Sequence, residues 1–278
     1  MIERKNADQL AAMSASGKLT AAMHEHVREA IKPGVSTKHI DTLAETFYVK
    51  HGAVPIFKGY GGSLGGQPGF PGTLCTSINN EIVHGIPSDH RILEEGDLIK
   101  IDAGCALNGW VSDSAATWIV GRDGVVAPDR STDAGRLVAI CRQSLWAGIA
   151  QAREGNRLGD IGHAIDSIAQ AEQMGNVRDY VGHGVGRALH EDPQVPHYGR
   201  PGRGIKLMAG LVIAIEPMFN LGTHDTETLD DDWTVVTADG KWSAHWEHTV
   251  AITPDGPWVL TARSDEPEHP EPDFVWQY

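Results

Sequence analysis

The sequence predicts an α+β protein in which one half-domain is used twice. Three observations carry this. The segments run helix, helix, strands, and then helix, helix, strands again. Two echoes recur in the same order: Lys32-x-Gly34 with Ile40 matches Arg153-x-Gly155 with Ile161, and Gly96-x5-Asp102 matches Gly210-x5-Glu216, each acid preceded by isoleucine. The third is Asn108-Gly109 between two alternating, β-branched runs, a strong hairpin signal because both turn residues must take positive φ. A duplicated half-domain predicts a single pseudo-twofold unit with one buried seam, where Asp102 and Glu216 meet.

The elements follow in order. Apolar residues recur at helical spacing from about Ala7 to Ile31, and Lys32-Pro33-Gly34 stops that helix. Ser36 or Thr37 caps a second helix through Val49, closed by Gly52. Gly59 to Gly72 is glycine-rich but lacks the Gly-Lys-Ser/Thr of a phosphate loop, so it reads as a flexible loop. Thr73 to His84 reads as a strand pair, followed by the Asn-Gly hairpin to about Val120. Helices are expected at Ser131–Arg153 and Leu158–Met174, the latter closed by Gly175. Tyr180 to Tyr198 is rich in glycine and histidine. Leu207 to Phe219 reads as an apolar strand interrupted by Glu216-Pro217, with further strands at Trp233–Val236 and His245–Ile252. The expected domain spans 1–260, with halves of about 1–125 and 126–260, and residues 261–278 form an acidic, proline-rich tail that straps onto the surface.

Composition narrows the functional classes. The net charge is −14, with no long basic run, which argues against non-specific binding to nucleic acid or membrane. Three widely spaced cysteines (Cys75, Cys105, Cys141) make neither a disulfide framework nor a thiolate zinc site and suit a reducing compartment. No apolar stretch reaches membrane-spanning length, and the reading is a cytoplasmic protein.

The chemistry concentrates in a few residues. With Asn108-Gly109 as the turn, Asp113 faces Gly104, so Asp102 and Asp113 become diagonal neighbours on one face, about 7–8 Å apart at the backbone. Such a pair either lies solvated on an exposed face or shares a cation, and the apolar hairpin favours the cation. Glu216 and Glu247 add two more acids in strand contexts, and buried carboxylates are rare unless paired or bound to metal. His183 is framed by glycines that allow close backbone and ligand approach, His190 follows seven residues later, and His84 stands at a strand end. His24, His26 and His269 sit in polar contexts and read as surface. Four carboxylates and an imidazole suit two divalent ions, which activate water and polarise a carbonyl or phosphoryl group. The residues alone say two-metal hydrolase, for a peptide or a phosphate ester.

Six ordered motifs then carry a resemblance: Val83-His84-Gly85-Ile86-Pro87, Ile101-Asp102 with Ser112-Asp113, Gly182-His183-Gly184-Val185-Gly186, His190-Glu191-Asp192-Pro193, Ile215-Glu216-Pro217-Met218 and Glu247-His248-Thr249. Together they resemble the methionine aminopeptidases over nearly the whole chain. The resemblance implies the pita-bread fold, a pseudo-twofold antiparallel sheet flanked by helices. It implies five metal ligands, Asp102, Asp113, His183, Glu216 and Glu247, with Asp113 and Glu247 bridging two divalent ions (Co, Mn, Fe, Zn or Ni). Glu216 doubles as general base or proton shuttle. His190 contacts the scissile carbonyl and His84 the scissile amide nitrogen. The methionine pocket matches Phe70, Cys75, Leu189 and Trp233, with Tyr60 beside them in a loop longer than usual. Some relatives hold a monovalent cation near the positions of Asn79 and Ser243. Only 31 residues separate Glu216 from Glu247, so the long helical insertion of type II enzymes is absent and the chain resembles type I.

The expectation is therefore metal-dependent removal of methionine from nascent polypeptide N-termini whose second residue is small. The expected setting is a cytoplasmic monomer with transient ribosome contact. The alternatives are a prolidase-like hydrolase of the same fold and a metal-free binding protein.

Overall fold

The computed structural model describes residues 2–62, 68–271, 274 and 276. Helix α1 (Ala7–Arg28) opens on a capping box in which the Asn6 side chain accepts from Gln9 N and the Gln9 side chain accepts from Asn6 N. Helix α2 (Thr37–Lys50) is capped by Ser36. Strands β1 (Val54–Pro55), β2 (Leu74–Ile78) and β3 (Glu81–Val83) lead to the long hairpin of β4 (Leu98–Leu107) and β5 (Trp110–Gly121), which β6 (Gly124–Val126) extends. Helices α3 (Asp133–Gln151) and α4 (Leu158–Ala171) follow. The remaining strands are short: β7 (Gly175–Asn176), β8 (Gly182–Gly184), β9 (Glu191–Val195), β10 (Val212–Ile215), β11 (Met218–Asn220), β12 (Thr226–Thr228), β13 (Val235–Thr237), β14 (Ser243–His245), β15 (His248–Thr253) and β16 (Gly256–Val259).

The hairpin turns where the sequence places it. Asn108 and Gly109 take φ of 52° and 75°. Asp113 stands opposite Gly104, and Asp102 opposite Ala115, so the two aspartates share a face as diagonal neighbours. Strand β4 pairs with β5 on one edge and with β1 and β2 on the other. A second sheet runs β16-β15-β10-β8-β9, and two three-stranded sheets, β14-β11-β7 and β12-β13-β3, complete the strand layer.

The predicted duplication is visible bond by bond. Gly34 N donates to Leu93 O as Gly155 N donates to Leu207 O. Gly96 N donates to Val120 O as Gly210 N donates to Ile252 O. All four glycines take positive φ, between 84° and 99°, which explains why the echoes are glycines. The seam between the repeats is sewn at alternate residues of β5. Asp113 exchanges backbone bonds with the Thr249 hydroxyl, Glu247 N donates to Ala115 O, and Thr117 exchanges bonds with His245. One apolar core spans both repeats, from Met23, Tyr48 and Ile101 to Trp146, Ile213 and Phe219.

Several local expectations need correction. Strands β2 and β3 do not pair: β2 joins β4 and β3 joins β13, because the intervening Asn79 takes a left-handed φ of 53° and turns the chain into another sheet. Helix α4 ends before Gln173, which takes φ 56°, and Gly175 lies in strand β7 instead of closing the helix. His24 is fully buried, not on the surface. It shares one face of α1 with Ser16 and Thr20, and that face is polar. Ser16 and Thr20 bond the Ser112 hydroxyl and the Cys105 thiol, and His24 Nε2 lies 2.9 Å from Ser114 O. His26 and His269 are exposed as expected. Residues 63–67 of the glycine-rich loop lie outside the described residues. The two arms at its base are held together, Gly59 N donating to Phe70 O and Phe70 N to Tyr60 O. Beyond Thr261, Phe274 and Trp276 rest against Trp146, with ring centroids 5.1 and 5.7 Å away.

Candidate metal centre

The five predicted ligand residues converge from both repeats. Asp102 and Asp113 come from β4 and β5. His183 comes from β8. Glu216 and Glu247 occupy two strand breaks: Glu216-Pro217 separates β10 from β11, and Trp246-Glu247 separates β14 from β15. The breaks lie side by side, since Ile215 pairs with His248 and Met218 with His245. Both acids therefore face one another where neither backbone is held in a regular ladder. Glu216 N donates instead to His197 Nε2, 3.1 Å away.

The donor atoms are close. One ligand atom each from Asp113, His183 and Glu247 lies within 4.8 Å of the others. His183 Nε2 is 3.4 Å from Glu216 Oε1 and 3.8 Å from Asp113 Oδ2. His183 Nδ1 lies 3.0 Å from Gly184 O, a contact that requires the proton on Nδ1 and leaves the Nε2 lone pair facing the carboxylates. Burial pulls the His183 pKa down to about 4, so the ring is neutral near pH 7.

The four carboxylates carry the opposite perturbation. Burial pushes Asp102 up to about 7 and holds Asp113, Glu216 and Glu247 well above the usual carboxylate range. The charges of the neighbouring acids push the last three further. Asp102 Oδ1, Asp113 Oδ1, Glu216 Oε1 and Glu247 Oε1 are buried atoms with no hydrogen-bond partner. Among the described residues, no lysine or arginine forms an ion pair with any of the four. Four inward-facing oxygen donors and one imidazole nitrogen, all lacking a protein counter-charge, fit divalent cations.

A cavity of about 170 Å³ opens over this cluster. Every predicted site residue lines it: the five ligands, His84 and His190, and the apolar set Tyr60, Phe70, Cys75, Leu189 and Trp233. Cys75 stands opposite Asp102 across the β2–β4 ladder. Phe70 and Trp233 meet edge to face at 5.3 Å. His190 stands with its ring centroid 4.2 Å from that of His183, and the Tyr60 hydroxyl is 2.5 Å from His190 Nδ1. His84 takes a left-handed φ of 60°, the backbone conformation that turns its ring into the cavity against Tyr180. Burial, followed by the charge of His190, pulls the His84 pKa down to about 4.

Sequence reasoning missed part of the lining. Phe57, Val83, Tyr180 and Met218 also face the cavity, and His197 and His245 stand behind Glu216. Tyr180 and His197 lie in the glycine- and histidine-rich segment, and Val83 and Met218 stand inside quoted motifs, so each had a local signal. The glycines around His183 also have a different use. A side chain on Gly182 would collide with Ala214 O and one on Gly184 with Asp192 O, so both admit neighbouring strands rather than a ligand. The monovalent-cation expectation does not fit. The Asn79 and Ser243 carbonyl oxygens already accept from the Lys100 ammonium, at 2.8 and 3.2 Å.

Residues 11–254 match the model of metallopeptidase family M24. The chain belongs to that family. It is 48% identical over 261 residues to a protein of Clostridium acetobutylicum named methionine aminopeptidase, covering 94% of this chain and 99% of the relative. Its structure matches that of a methionine aminopeptidase from Thermotoga maritima with a TM-score of 0.87 at 39% identity, covering 95% of this chain and 100% of that one. A prolidase of Pyrococcus horikoshii aligns with a TM-score of 0.72 at 20% identity, covering 94% of this chain and 64% of the other, a likeness of fold alone. Membership in M24 agrees with the pita-bread architecture and with a metal-dependent peptidase. No helix among the described residues is long and apolar enough to cross a membrane.

Proposed function

We propose that this M24 metallopeptidase removes N-terminal methionine from polypeptides with a small second residue. The observation that carries the reading is one cavity with two ends: four carboxylates with unpartnered oxygens and the His183 imidazole at its floor, and an apolar wall of Phe70, Cys75, Leu189 and Trp233 beside them. Asp102, Asp113, His183, Glu216 and Glu247 would hold two divalent ions (Co, Mn, Fe, Zn or Ni), with Asp113 and Glu247 shared. When bound, such ions acidify water and polarise a carbonyl.

The chain's own groups supply the remaining steps. The apolar wall takes the methionine side chain, whose thioether packs well against aromatic edges. Glu216 receives a proton at a carboxylate oxygen and returns it to the departing amine. The short Tyr60 contact allows the hydroxyl to donate to His190 Nδ1, which keeps the other proton on Nε2, free to donate to the developing oxyanion. His84, neutral near pH 7, positions the scissile amide. A bulky second residue would collide with these two histidines. The reading brings with it a cytoplasmic monomer that meets nascent chains near the ribosome. It also brings a catalytic unit spanning 1–260, with the residues beyond it as a strap.

The test is release of methionine from Met-Ala and Met-Gly peptides with added Co, Mn or Fe. Release from both, and little from Met-Leu, is expected. No release with any metal, or preferential cleavage of Xaa-Pro peptides, overturns the reading.

A further inference from the structure

Lys100 is an unusual residue to find where it lies. Its side chain is among the largest fully buried ones, 1% exposed, on the central strand β4 two positions before Asp102. Its partners are not carboxylates. Nζ donates to two backbone carbonyl oxygens, Asn79 O at 2.8 Å and Ser243 O at 3.2 Å. Asn79 takes φ 53°, and its carbonyl also accepts from Ser243 N at 2.9 Å. The Asn79 side chain is fixed in turn, donating to Asp97 and accepting from Leu98 N. The three elements joined here each lead to the candidate site: the β2–β3 turn to His84, β4 to Asp102, and β14 to Glu247.

Carbonyl oxygens converging on one positive centre form the environment that weakly hydrated monovalent cations occupy in proteins. Here the positive centre is covalently attached. We propose that Lys100 is a tethered cation that fixes the β2–β3 turn, β4 and β14 to one another behind the metal ligands, and that the protein therefore needs no free monovalent ion at this point. An ammonium on a four-carbon stem cannot be diluted away, so the brace is independent of salt composition. Lys100 is a positioning residue: it acts through Asn79 and Ser243, and touches neither substrate nor ligand.

The inference does not depend on which peptide is cleaved, because its first readout is thermal unfolding. Wild type and Lys100→Ala are compared in choline, sodium and potassium chloride at one ionic strength and a fixed divalent concentration. The comparison is made at one pH throughout. Wild-type Tm is expected to be the same in all three salts. Lys100→Ala should unfold roughly 5 °C or more lower in choline, and sodium or potassium should restore a saturable part of the loss by entering between the two carbonyls. Lys100→Met, which fills the space, should fall in Tm without restoration. Turnover of Met-Ala should follow the same pattern, with kcat rescued and KM little changed. Saturable stabilisation of wild type by sodium or potassium over choline overturns the proposal. So does a Lys100→Ala protein that neither ion restores, whether it is folded or not.

Discussion

The two repeats build their shares of one site in opposite ways. In the first, Asp102 and Asp113 sit on an unbroken antiparallel ladder, paired from Leu98–Ile119 to Leu107–Trp110. The pleat alone sets where their carboxylates point. In the second, both strands break at the glutamate: β10 gives way to β11 at Glu216-Pro217, and β14 to β15 at Trp246-Glu247. A break releases backbone groups that must find other partners. Glu216 N finds His197, and Glu247 N finds Ala115 O across the seam. The Ser114 hydroxyl closes the same loop by donating to Glu247 O at 2.8 Å. The first repeat is thus the template and the second is fitted to it. Glutamates, one methylene longer than aspartates, suit the half that must reach across.

If that division holds, the ladder aspartate shared between ions should be the most costly residue to lose. Asp113→Ala is expected to abolish binding of both divalent ions and reduce Met-Ala hydrolysis to background. Asp102→Ala should retain one ion. Calorimetric titration with Mn, read as stoichiometry, separates the two, and two ions bound by Asp113→Ala would break the comparison. His190→Ala comes next in size. It should leave ion binding intact and lower kcat by about 10²–10³-fold, the usual cost of one oxyanion donor. Full turnover in that variant would remove His190 from the chemistry.

Much of this was legible in the sequence because the first repeat obeys local rules. Asn108-Gly109 fixes the turn, the turn fixes the register, and the register puts Asp113 beside Asp102. The positive-φ glycines at 34, 96, 155 and 210 made the duplication readable for the same reason. What could not be read depends on contacts far apart in the chain. The polar face of α1, with Ser16, Thr20 and His24, looks like a solvated stripe until β5 is packed against it. His197 gains its place only from a backbone break 19 residues away. Lys100 carries no local signal of its role, since nothing near it announces two buried carbonyls from residues 79 and 243. Apolar periodicity finds cores, and it is blind to buried faces that are satisfied by hydrogen bonds.

The raised carboxylates of both repeats predict a pH dependence. Without ions, burial and mutual repulsion favour the protonated forms, so the folded protein holds protons that the unfolded chain would release near pH 4. Divalent ions bind the deprotonated forms and must expel those protons. Apparent Mn affinity should therefore rise with pH up to about 7, where Asp102 gives up its proton, by about tenfold per unit for each proton displaced. Stability of the ion-free protein should change in the opposite sense, with Asp102 removing stability as pH rises through about 7. Calorimetry in buffers of different ionisation enthalpy counts the protons directly. Affinity that is flat with pH would mean the acids are already ionised, and the close packing of ladder and break-point carboxylates would need another explanation.

The smallest expected effect tests a contact that crosses between the repeats. Tyr60, from the arm of the glycine-rich loop, places its hydroxyl 2.5 Å from Nδ1 of His190, which follows β8 in the second repeat. In the proposed reading the hydroxyl donates to Nδ1, which leaves the His190 proton on Nε2; the reverse bond, with the hydroxyl oxygen accepting from Nδ1–H, would leave Nε2 bare. Tyr60→Phe keeps the ring and the cavity wall and removes only that choice. Two tautomers then compete, and those with a bare Nε2 cannot donate to an oxyanion. The cost should be a fall in kcat of about 3- to 10-fold, equivalent to about 1 kcal/mol for one hydrogen bond, with KM for Met-Ala little changed. His190→Ala and the double variant close a cycle. If Tyr60 acts through His190, removing Tyr60 from the His190→Ala protein costs nothing further. A full additional loss would place Tyr60 in direct contact with the peptide instead, and the loop arm would then be part of the pocket rather than a support for its histidine.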